Sequence, residues 1–168
     1  MDLASTFEQG LTEALPRLRR FAHSLSRNPA DADDLAQQTV ERALRSRSRW
    51  QEGSRLDAWL YRIMRNLWID EARSRARKAK VERPPEDGEK IGFDPRGGQD
   101  AAIDLQRVMT ALDRLPDEQR ETVSLILIEG FGYREAAELL DLPIGTVSSR
   151  LVRGRTALLK MLGGEQNG

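Results

Sequence analysis

Hydrophobic side chains recur every three or four positions through most of this chain, a spacing typical of amphipathic helices. Three such stripes occupy the N-terminal half, and their members are Ala14, Leu18, Phe21, Ala22 and Leu25, then Ala36, Val40, Ala43 and Leu44, then Leu56, Leu60, Ile63 and Leu67. Asn28 and Pro29 separate the first two stripes, and Gly53, with Ser54 as the expected helix cap, separates the last two. The pattern predicts one small helical core in this half.

The C-terminal half continues the helical pattern. Two stripes stop at helix-terminating residues, Pro116 and Gly130, and comprise Leu105, Val108, Leu112 and Leu115, then Val123, Ile126 and Leu127. Between the halves, residues 81–100 carry several prolines, glycines and carboxylates without a hydrophobic period, which indicates a linker of low order. We therefore predict an all-α fold with two small helical domains, 1–80 and 101–168, joined by this flexible linker.

A further pair of helices is predicted at residues 132–155, where the sequence is GYREAAELLDLPIGTVSSRLVRGR. Ala136 and Ala137 are small at the point where a second helix must cross closely. Asp141 tolerates the left-handed backbone of a tight turn better than most residues, and Pro143 cannot continue the preceding helix. Two short amphipathic helices joined by such a turn indicate a DNA-binding helix-turn-helix.

The second helix of this motif has an apolar face and a polar face. The inward positions are predicted to be Ile144, Val147, Leu151 and Leu158. The outward positions, which we expect to enter the major groove, are Ser148, Ser149, Val152 and Arg153. Arg153 suits a guanine edge and Val152 a thymine methyl group. The cations expected on phosphates are Arg134, Arg150 and Arg155. The alternative is an ordinary helical hairpin with a solvated basic face.

Charge is balanced overall but unevenly distributed. The chain has 168 residues, with 27 Lys and Arg against 27 Asp and Glu, so its bulk charge does not attract it to nucleic acid. Between positions 42 and 80, however, basic residues far outnumber acidic ones, which predicts a second basic surface in the N-terminal domain. Before it, Asp31, Asp33 and Asp34 open the second predicted helix, where carboxylates complement the helix dipole.

Composition excludes several classes of site. The chain has no cysteine and one histidine, His23, so disulfides, thiolate metal sites and a histidine-only zinc centre are excluded, and we predict no metal and no cofactor. The sequence shows neither a convergent catalytic set nor a glycine-rich phosphate loop, which argues against an enzyme. No apolar run approaches the ~20 residues of a membrane helix. Because the start does not resemble a secretion signal, we expect a soluble, cytoplasmic protein.

Three segments in a fixed order carry a resemblance that covers the chain nearly end to end. They are DADDLAQQTVERAL at 31–44, LDAWLYRIMRNLWIDEARSRARK at 56–78 and LPDEQRETVSLILIEGFGYREAAELLDLPIGTVSSRLVRGR at 115–155. The chain resembles the extracytoplasmic-function (ECF, group IV) sigma factors of the sigma-70 family, with regions 2 and 4 both matched. The resemblance implies an alternative sigma factor, which binds bacterial core RNA polymerase and directs promoter-specific transcription initiation in a stress or environmental response.

The resemblance also implies a polymerase-docking surface. The helix that begins near Asp31 is similar to the one that docks on the beta-prime clamp helices, and its candidate contacts are Asp34, Gln37 and Gln38. Gln38 stands where the family often has glutamate, so this contact is expected to be neutral here. The alternative for this helix is a solvated face that carries an N-terminal charge cap.

The helix at 57–73 and the loop before it resemble the element that captures the melted minus-ten strand. Its candidate DNA contacts are Arg55, Arg62, Arg65 and Asn66. Such proteins hold an extruded base in a pocket while arginines follow the backbone. Leu56 stands where relatives commonly have phenylalanine, so we expect a pocket of different shape. Trp59 and Trp68 are predicted to pack in the core, whereas for Trp50 both core packing and base stacking are open.

Further partners follow from the same resemblance. It implies contact with the beta flap of the polymerase, with promoter DNA and with an anti-sigma factor that covers these faces, without membrane insertion. In the linker Glu86, Asp87 and Glu89 would imitate nucleic-acid charge near the RNA exit path, the alternative being a plain disordered tether. The rival functions are a stand-alone helix-turn-helix regulator, which would bind operator DNA as a dimer, and an enzyme.

Overall fold

Helices account for all the regular structure in residues 3–80 and 100–164, the part of the chain that the computed structural model describes. In chain order they are α1 (Leu3–Ser26), α2 (Pro29–Arg45), a 3-10 turn (Arg47–Arg49), α3 (Leu56–Ala79), α4 (Asp100–Asp113), α5 (Asp117–Val123), a π-helical segment (Ser124–Ile128), α6 (Tyr133–Leu140) and α7 (Ile144–Gly164). The all-α prediction is confirmed. Within these ranges no helix has the length and apolar content that a membrane span requires. The linker carboxylates Glu86, Asp87 and Glu89 lie outside the described residues.

The N-terminal module consists of α1, α2 and α3 packed around an apolar core. Most members of the three predicted stripes are buried in it, among them Leu18, Phe21, Ala22, Leu25, Ala36, Ala43 and Leu60. Asn28 caps α2, because its side-chain oxygen accepts hydrogen bonds from the backbone N–H of Ala30 at 2.9 Å and of Asp31 at 3.2 Å. Pro29 occupies the first position of α2, where its missing N–H costs nothing. The chain therefore reverses direction between α1 and α2 where the sequence predicts.

Two expectations for this module are wrong. Leu44 is 49% exposed, because α2 buries a stripe that includes Ala43, and the next residue lies about 100° around the helix. Ser54 does not cap α3, because its hydroxyl donates a hydrogen bond to the carbonyl of Gln51 at 2.5 Å. The N-cap position is instead Arg55, and its side chain makes no capping bond.

The C-terminal module is the predicted four-helix unit, formed by α4, by α5 with its π-helical extension, by α6 and by α7. Its own core comprises Ala111, Leu112, Leu115, Val123, Leu151 and Leu158. Helices α5 and α7 approach closely at Gly154, since a Cβ there would lie 2.6 Å from Cγ2 of Val123. A side chain at this position would force the helices apart.

Three apolar residues of this module are exposed, contrary to prediction. Leu105 is 64% exposed in the early turns of α4, before the buried pair Ala111 and Leu112. Ile144 is 51% exposed because it is the first residue of α7, ahead of the buried stripe. Leu127 is 52% exposed because the wider π-helical turn shifts the phase of the stripe.

The turn between α6 and α7 has the predicted geometry. Asp141 ends α6 in the left-handed conformation, at φ 53° and ψ 50°. The N–H of Leu142 then donates to the carbonyl of Ala137 at 3.0 Å, which closes the turn. The prediction that aspartate replaces glycine here is confirmed.

The two modules are packed together in this structure. The ring of Tyr61 in α3 lies between Phe21, at a centroid distance of 4.9 Å, and Phe131 of the C-terminal module, at 5.1 Å. The buried side chains of the N-terminal module form one continuous cluster with Leu125, Phe131, Ala136, Leu139, Leu140 and Val147. The sequence indicated two bodies on a tether, and it contained no sign of this association.

Candidate nucleic-acid and polymerase interfaces

The outer face of α7 presents the side chains predicted to enter the major groove. All four are exposed, namely Ser148, Ser149, Val152 and Arg153. On the opposite face Val147 and Leu151 are buried, so α7 is fixed to its module by one side only. Val152 is a large apolar side chain that is 61% exposed. The arrangement can present hydroxyl, methyl and guanidinium groups together to a groove.

The cations expected on phosphates differ in how available they are. Arg134 at the start of α6 and Arg155 in α7 are exposed. Arg150 is half-buried, and its Nη2 lies 3.5 Å from Oε2 of Glu118. Arg150 must therefore exchange a carboxylate for a phosphate if it is to contact DNA.

The minus-ten candidates on α3 divide into two pairs. Arg62 and Asn66 are exposed, and because they are four residues apart they share one face of the helix. Arg65 turns toward the C-terminal module, where its Nε donates a hydrogen bond of 2.7 Å to Oε1 of Glu121. These two side chains are only 18% and 15% exposed. The structure therefore does not bring Arg65 and Arg62 onto one open surface.

Arg55, in front of α3, also faces the C-terminal module. Its Nη1 forms an ion pair with Glu135 of α6, and its Nη2 donates to Oδ2 of Asp57 at 2.9 Å. The guanidinium carbon lies 4.9 Å from the ring centroid of Phe131, in cation–π contact. Hydrogen bonding to Asp57 raises the pKa of Arg55, against the opposing effect of burial.

A surface cavity of about 590 Å³ lies beside the loop between α2 and α3. It is lined by Arg45, Arg47, Ser48, Trp50 and Glu52. The Trp50 ring packs on Phe7 at a centroid distance of 5.4 Å, while its buried Nε1 has no hydrogen-bond partner among the described residues. Of the two alternatives for Trp50, packing is thus present. The run of arginines before Trp50 was the only sequence signal for these lining residues.

The polymerase-docking candidates form a small polar face on α2. Asp34 and Gln37 are exposed and Gln38 is half-buried. Nε2 of Gln38 donates a hydrogen bond to Oδ2 of Asp34 at 2.8 Å. The opposite face of α2 holds Leu35 and Thr39 in the core, so this polar face points outward.

A polar cluster joins the two modules at Glu129, whose side chain is 1% exposed. Arg20 approaches it with two nitrogens, Nε at 2.7 Å from Oε1 and Nη2 at 2.9 Å from Oε2. Arg17 donates from Nε to Oε2 at 3.3 Å and from Nη2 to the backbone carbonyl at 2.8 Å. The Tyr61 hydroxyl donates to Oε2 at 2.7 Å. The carboxylate of Glu129 therefore has all of its hydrogen-bond donors on the N-terminal module.

These contacts shift the ionisation of their partners. Hydrogen bonding to Glu129 raises the pKa of Arg20, although burial opposes this. Burial, followed by the hydrogen bond to Glu129, raises the pKa of Tyr61 far above its usual range. Sequence inspection missed this cluster, because Glu129 is 109 positions from Arg20 and 68 from Tyr61.

A second polar contact between the modules lies at Arg120, which is 2% exposed. Its Nε donates to the backbone carbonyl of Ser24 in α1, and its Nη2 donates to Oδ1 of Asp117 at 2.7 Å. Arg27, after α1, donates to the carbonyl of Leu115 at 2.7 Å and to Asp117 at 2.9 Å. Burial lowers the pKa of Arg120. Polar contacts thus connect α1 to α5 near its start and to Glu129, which follows the π-helical segment.

Each of the two modules matches a known protein family. Residues 11–78 match the model of sigma-70 region 2, and residues 105–158 match that of sigma-70 region 4. The chain is 40% identical over 163 residues to the ECF RNA polymerase sigma factor EcfG of Rhodopseudomonas palustris, covering 96% of this chain and 88% of that protein. It is 42% identical over 148 residues to the ECF sigma factor SigE of Mycolicibacterium smegmatis, covering 84% of this chain and 56% of that protein.

A solved structure has the same architecture. It is the sigma factor RpoE of Bartonella quintana, determined in complex with the anti-sigma factor NepR. The TM-score is 0.81 at 36% identity, and the match covers 94% of this chain and 97% of that chain. Both modules and their order are thus shared with curated and solved relatives, and the chain belongs to the ECF RNA polymerase sigma factor family.

Proposed function

We propose that this chain is an alternative sigma factor, which binds bacterial core RNA polymerase and directs promoter-specific transcription initiation, in a stress or environmental response. The observation that carries the proposal is that each module presents its own DNA-suited surface. The C-terminal module exposes the polar face of α7, and the N-terminal module exposes Arg62 and Asn66 on α3 and has a cavity lined by Arg45 and Arg47. A protein that must hold a promoter at two places needs two such surfaces.

The C-terminal module, residues 101–168, recognises the minus-thirty-five duplex in this proposal. Base edges are contacted by Ser148, Ser149, Val152 and Arg153, and phosphates by Arg134, Arg150 and Arg155. The support is the exposure of the first four on one face of a helix-turn-helix whose turn has the expected geometry. Of the phosphate contacts, Arg150 must first leave Glu118.

The N-terminal module, residues 1–80, opens and holds the minus-ten element. Asn66 pairs with a base edge, and Arg55, Arg62 and Arg65 follow the backbone of the melted strand. The cavity lined by Trp50 accepts an extruded base, with Arg47 as a cation. Stacking on an aromatic ring and contact with a cation offset the energy that unstacking costs.

Protein partners complete the proposal. The exposed face of α2, with Asp34, Gln37 and Gln38, docks on the beta-prime clamp helices, and the C-terminal module meets the beta flap. An anti-sigma factor holds the free protein, and the support is the likeness to the Bartonella sigma factor that was solved with NepR. The polymerase supplies the chemistry of RNA synthesis, so the chain itself acts as a cytoplasmic specificity subunit and not as an enzyme.

Run-off transcription tests this function. Purified core polymerase is given a promoter library with and without the chain, and the transcripts are sequenced. Transcripts from a defined set of promoters that need the chain are the expected result. A stand-alone regulator would instead bind duplex DNA tightly as a dimer without polymerase, so sedimentation and duplex binding by the chain alone distinguish the two.

A further inference from the structure

Two of the four proposed minus-ten contacts are occupied by carboxylates of the other module. Arg65 pairs with Glu121 of α5 at 2.7 Å, and Arg55 pairs with Glu135 of α6. A carboxylate and a phosphate offer arginine the same kind of acceptor, two oxygens that share a negative charge. Glu121 and Glu135 therefore stand where the DNA backbone would have to bind.

Glu129 provides the buried attachment that holds these carboxylates in place. It lies between α5 and α6 in the chain, and it accepts hydrogen bonds from Arg17, Arg20 and Tyr61 of the N-terminal module. The π-helical segment positions it, since the N–H of Glu129 bonds to the carbonyl of Ser124, five residues back, at 2.9 Å. The Glu129 carboxylate is the most buried of the three, with 1% exposed against 15% for Glu121 and 42% for Glu135, and it acts together with the apolar cluster between the modules.

The closed arrangement affects the two DNA-suited surfaces differently. Ser148, Ser149, Val152 and Arg153 remain exposed while the modules are packed together. Arg65, in contrast, has only 18% of its side chain exposed, and Arg55 is engaged by three groups at once. Closure therefore occupies two of the four proposed minus-ten contacts and leaves the minus-thirty-five face open.

We infer that the C-terminal module inhibits minus-ten binding in the free protein. Glu129 latches the modules together, Glu121 and Glu135 occupy the minus-ten arginines as phosphate mimics, and the minus-thirty-five face stays available. This inference rests on the proposed function, because it assigns a regulation to the same DNA-binding residues. DNA or polymerase must open the latch before the minus-ten strand can be held.

The exchange of carboxylate for phosphate is energetically feasible at Arg65. Burial raises the pKa of Glu121, so its ionised form is held there at a cost that Arg65 only partly offsets. Release of Glu121 to solvent recovers that cost as the strand arrives. The latch residues Arg17 and Arg20 have side chains 36% and 44% exposed, so they can hydrate once Glu129 withdraws.

The test compares Glu129→Gln with a matched control, Glu138→Gln. The control removes the same single negative charge, but from an exposed side chain on α6. The probes are two fluorescent DNAs from a promoter that the chain serves in run-off transcription, a single strand spanning the minus-ten element and a duplex spanning the minus-thirty-five element. In the absence of polymerase, Glu129→Gln is expected to bind the single strand about tenfold more tightly, because the population of the open state rises by about that factor. The duplex affinity should stay the same, and Glu138→Gln should change neither.

The distance between the modules is measured on the same variants. Because the chain has no cysteine, dyes can be attached at Glu41→Cys and Lys160→Cys alone, both exposed, for energy transfer. Transfer should fall in Glu129→Gln and stay unchanged in Glu138→Gln.

If Glu129→Gln melts below the working temperature, Arg20→Gln opens the latch from the other side, with exposed Arg19→Gln as its control. Because Arg20→Gln removes a positive charge, tighter DNA binding by this variant could not come from a stronger electrostatic attraction to phosphates.

The outcomes separate the latch from the proposed function. A chain that yields no run-off product from any promoter overturns the proposed function, and this inference with it. A chain that initiates normally, while the latch variants leave both energy transfer and single-strand affinity unchanged, overturns the latch alone. Equal tightening on both DNA probes also overturns it, because a general charge effect would then account for the result.

Discussion

The hydroxyl of Tyr61 donates a hydrogen bond of 2.7 Å to Oε2 of Glu129, and this bond crosses from one module to the other. Because burial keeps the pKa of Tyr61 far above its usual range, the hydroxyl remains a proton donor across the ordinary pH range. Tyr61 is fully buried, so the bond is shielded from water. The same ring contacts Phe21 and Phe131, and one side chain thus contributes both apolar and polar contacts between the modules.

Replacing Tyr61 with phenylalanine keeps the ring contacts and removes this bond. We expect Tyr61→Phe to lower the free energy of unfolding by about 1–3 kcal/mol, since Oε2 of Glu129 loses a donor inside the protein. Urea titration followed by circular dichroism measures the change. Tyr133→Phe is the control, because Tyr133 is 49% exposed and should tolerate the change. Equal stability of the two variants would show that the arginines alone satisfy Glu129.

Arg153 is expected to read a base. Its exposure beside Ser149 on the outer face of α7 predicts that Arg153→Ala relaxes the preference at one upstream base pair, at a cost of roughly 1–3 kcal/mol. Binding to a set of single-base variants of the minus-thirty-five duplex measures this. Arg155→Ala, expected to remove only a phosphate contact, should weaken all the duplexes by the same factor. Uniform weakening by Arg153→Ala as well would identify Arg153 as a phosphate contact.

The polar face of α2 is expected to dock on core polymerase. Replacing Asp34 and Gln37 with alanine should abolish co-purification with core enzyme and leave the helical circular dichroism spectrum intact, because both side chains are exposed. Asp33→Ala, exposed on the same helix, serves as a control for charge. Undiminished co-purification of the double variant would mean that this face is only solvated.

Glu121 is expected to give the protein a pH dependence of a defined sign. Burial raises its pKa above the ordinary 4.5, so the folded state binds a proton more readily than the unfolded chain does. The ionised carboxylate therefore costs stability at neutral pH, and this cost disappears as the pH falls through the folded-state pKa toward 4.5.

The variant Glu121→Gln isolates this effect. It removes the ionisation and can still accept a hydrogen bond from Arg65, so at pH 7 its free energy of unfolding should lie within about 1 kcal/mol of the parent or above it. Its stability should also vary less with pH than that of the parent. Urea titrations at several pH values, with Glu138→Gln as the control, measure both quantities. A loss well beyond 2 kcal/mol at pH 7 would show that the ionised pair is net stabilising.

Helical periodicity predicted the fold class, most of the buried stripes and the face of α7, because these depend on local spacing. It wrongly predicted that Leu105, Leu127 and Ile144 are buried. The spacing of apolar residues does not show where a helix end or a wider turn exposes one of them to solvent. The tight turn at Asp141 was predictable from local backbone preference.

The contact between the modules could not be predicted in this way. The partners of Glu129 are distant in sequence, and a carboxylate that follows four aliphatic residues has no local mark of burial by arginines. The pairing of Arg55 and Arg65 with carboxylates has the same origin, because it depends on how one module lies on the other.

The wide helical turn at Ser124–Ile128 sets the orientation of the residues that follow it. It accommodates an additional residue relative to an α-helix, and successive residues of an α-helix are turned by about 100°. Rewinding the same residues as an ordinary α-helix, with no change in length, would rotate everything after them by about that angle and carry Glu129 away from its three donors. The winding of this single turn therefore sets whether the carboxylate faces the other half of the protein.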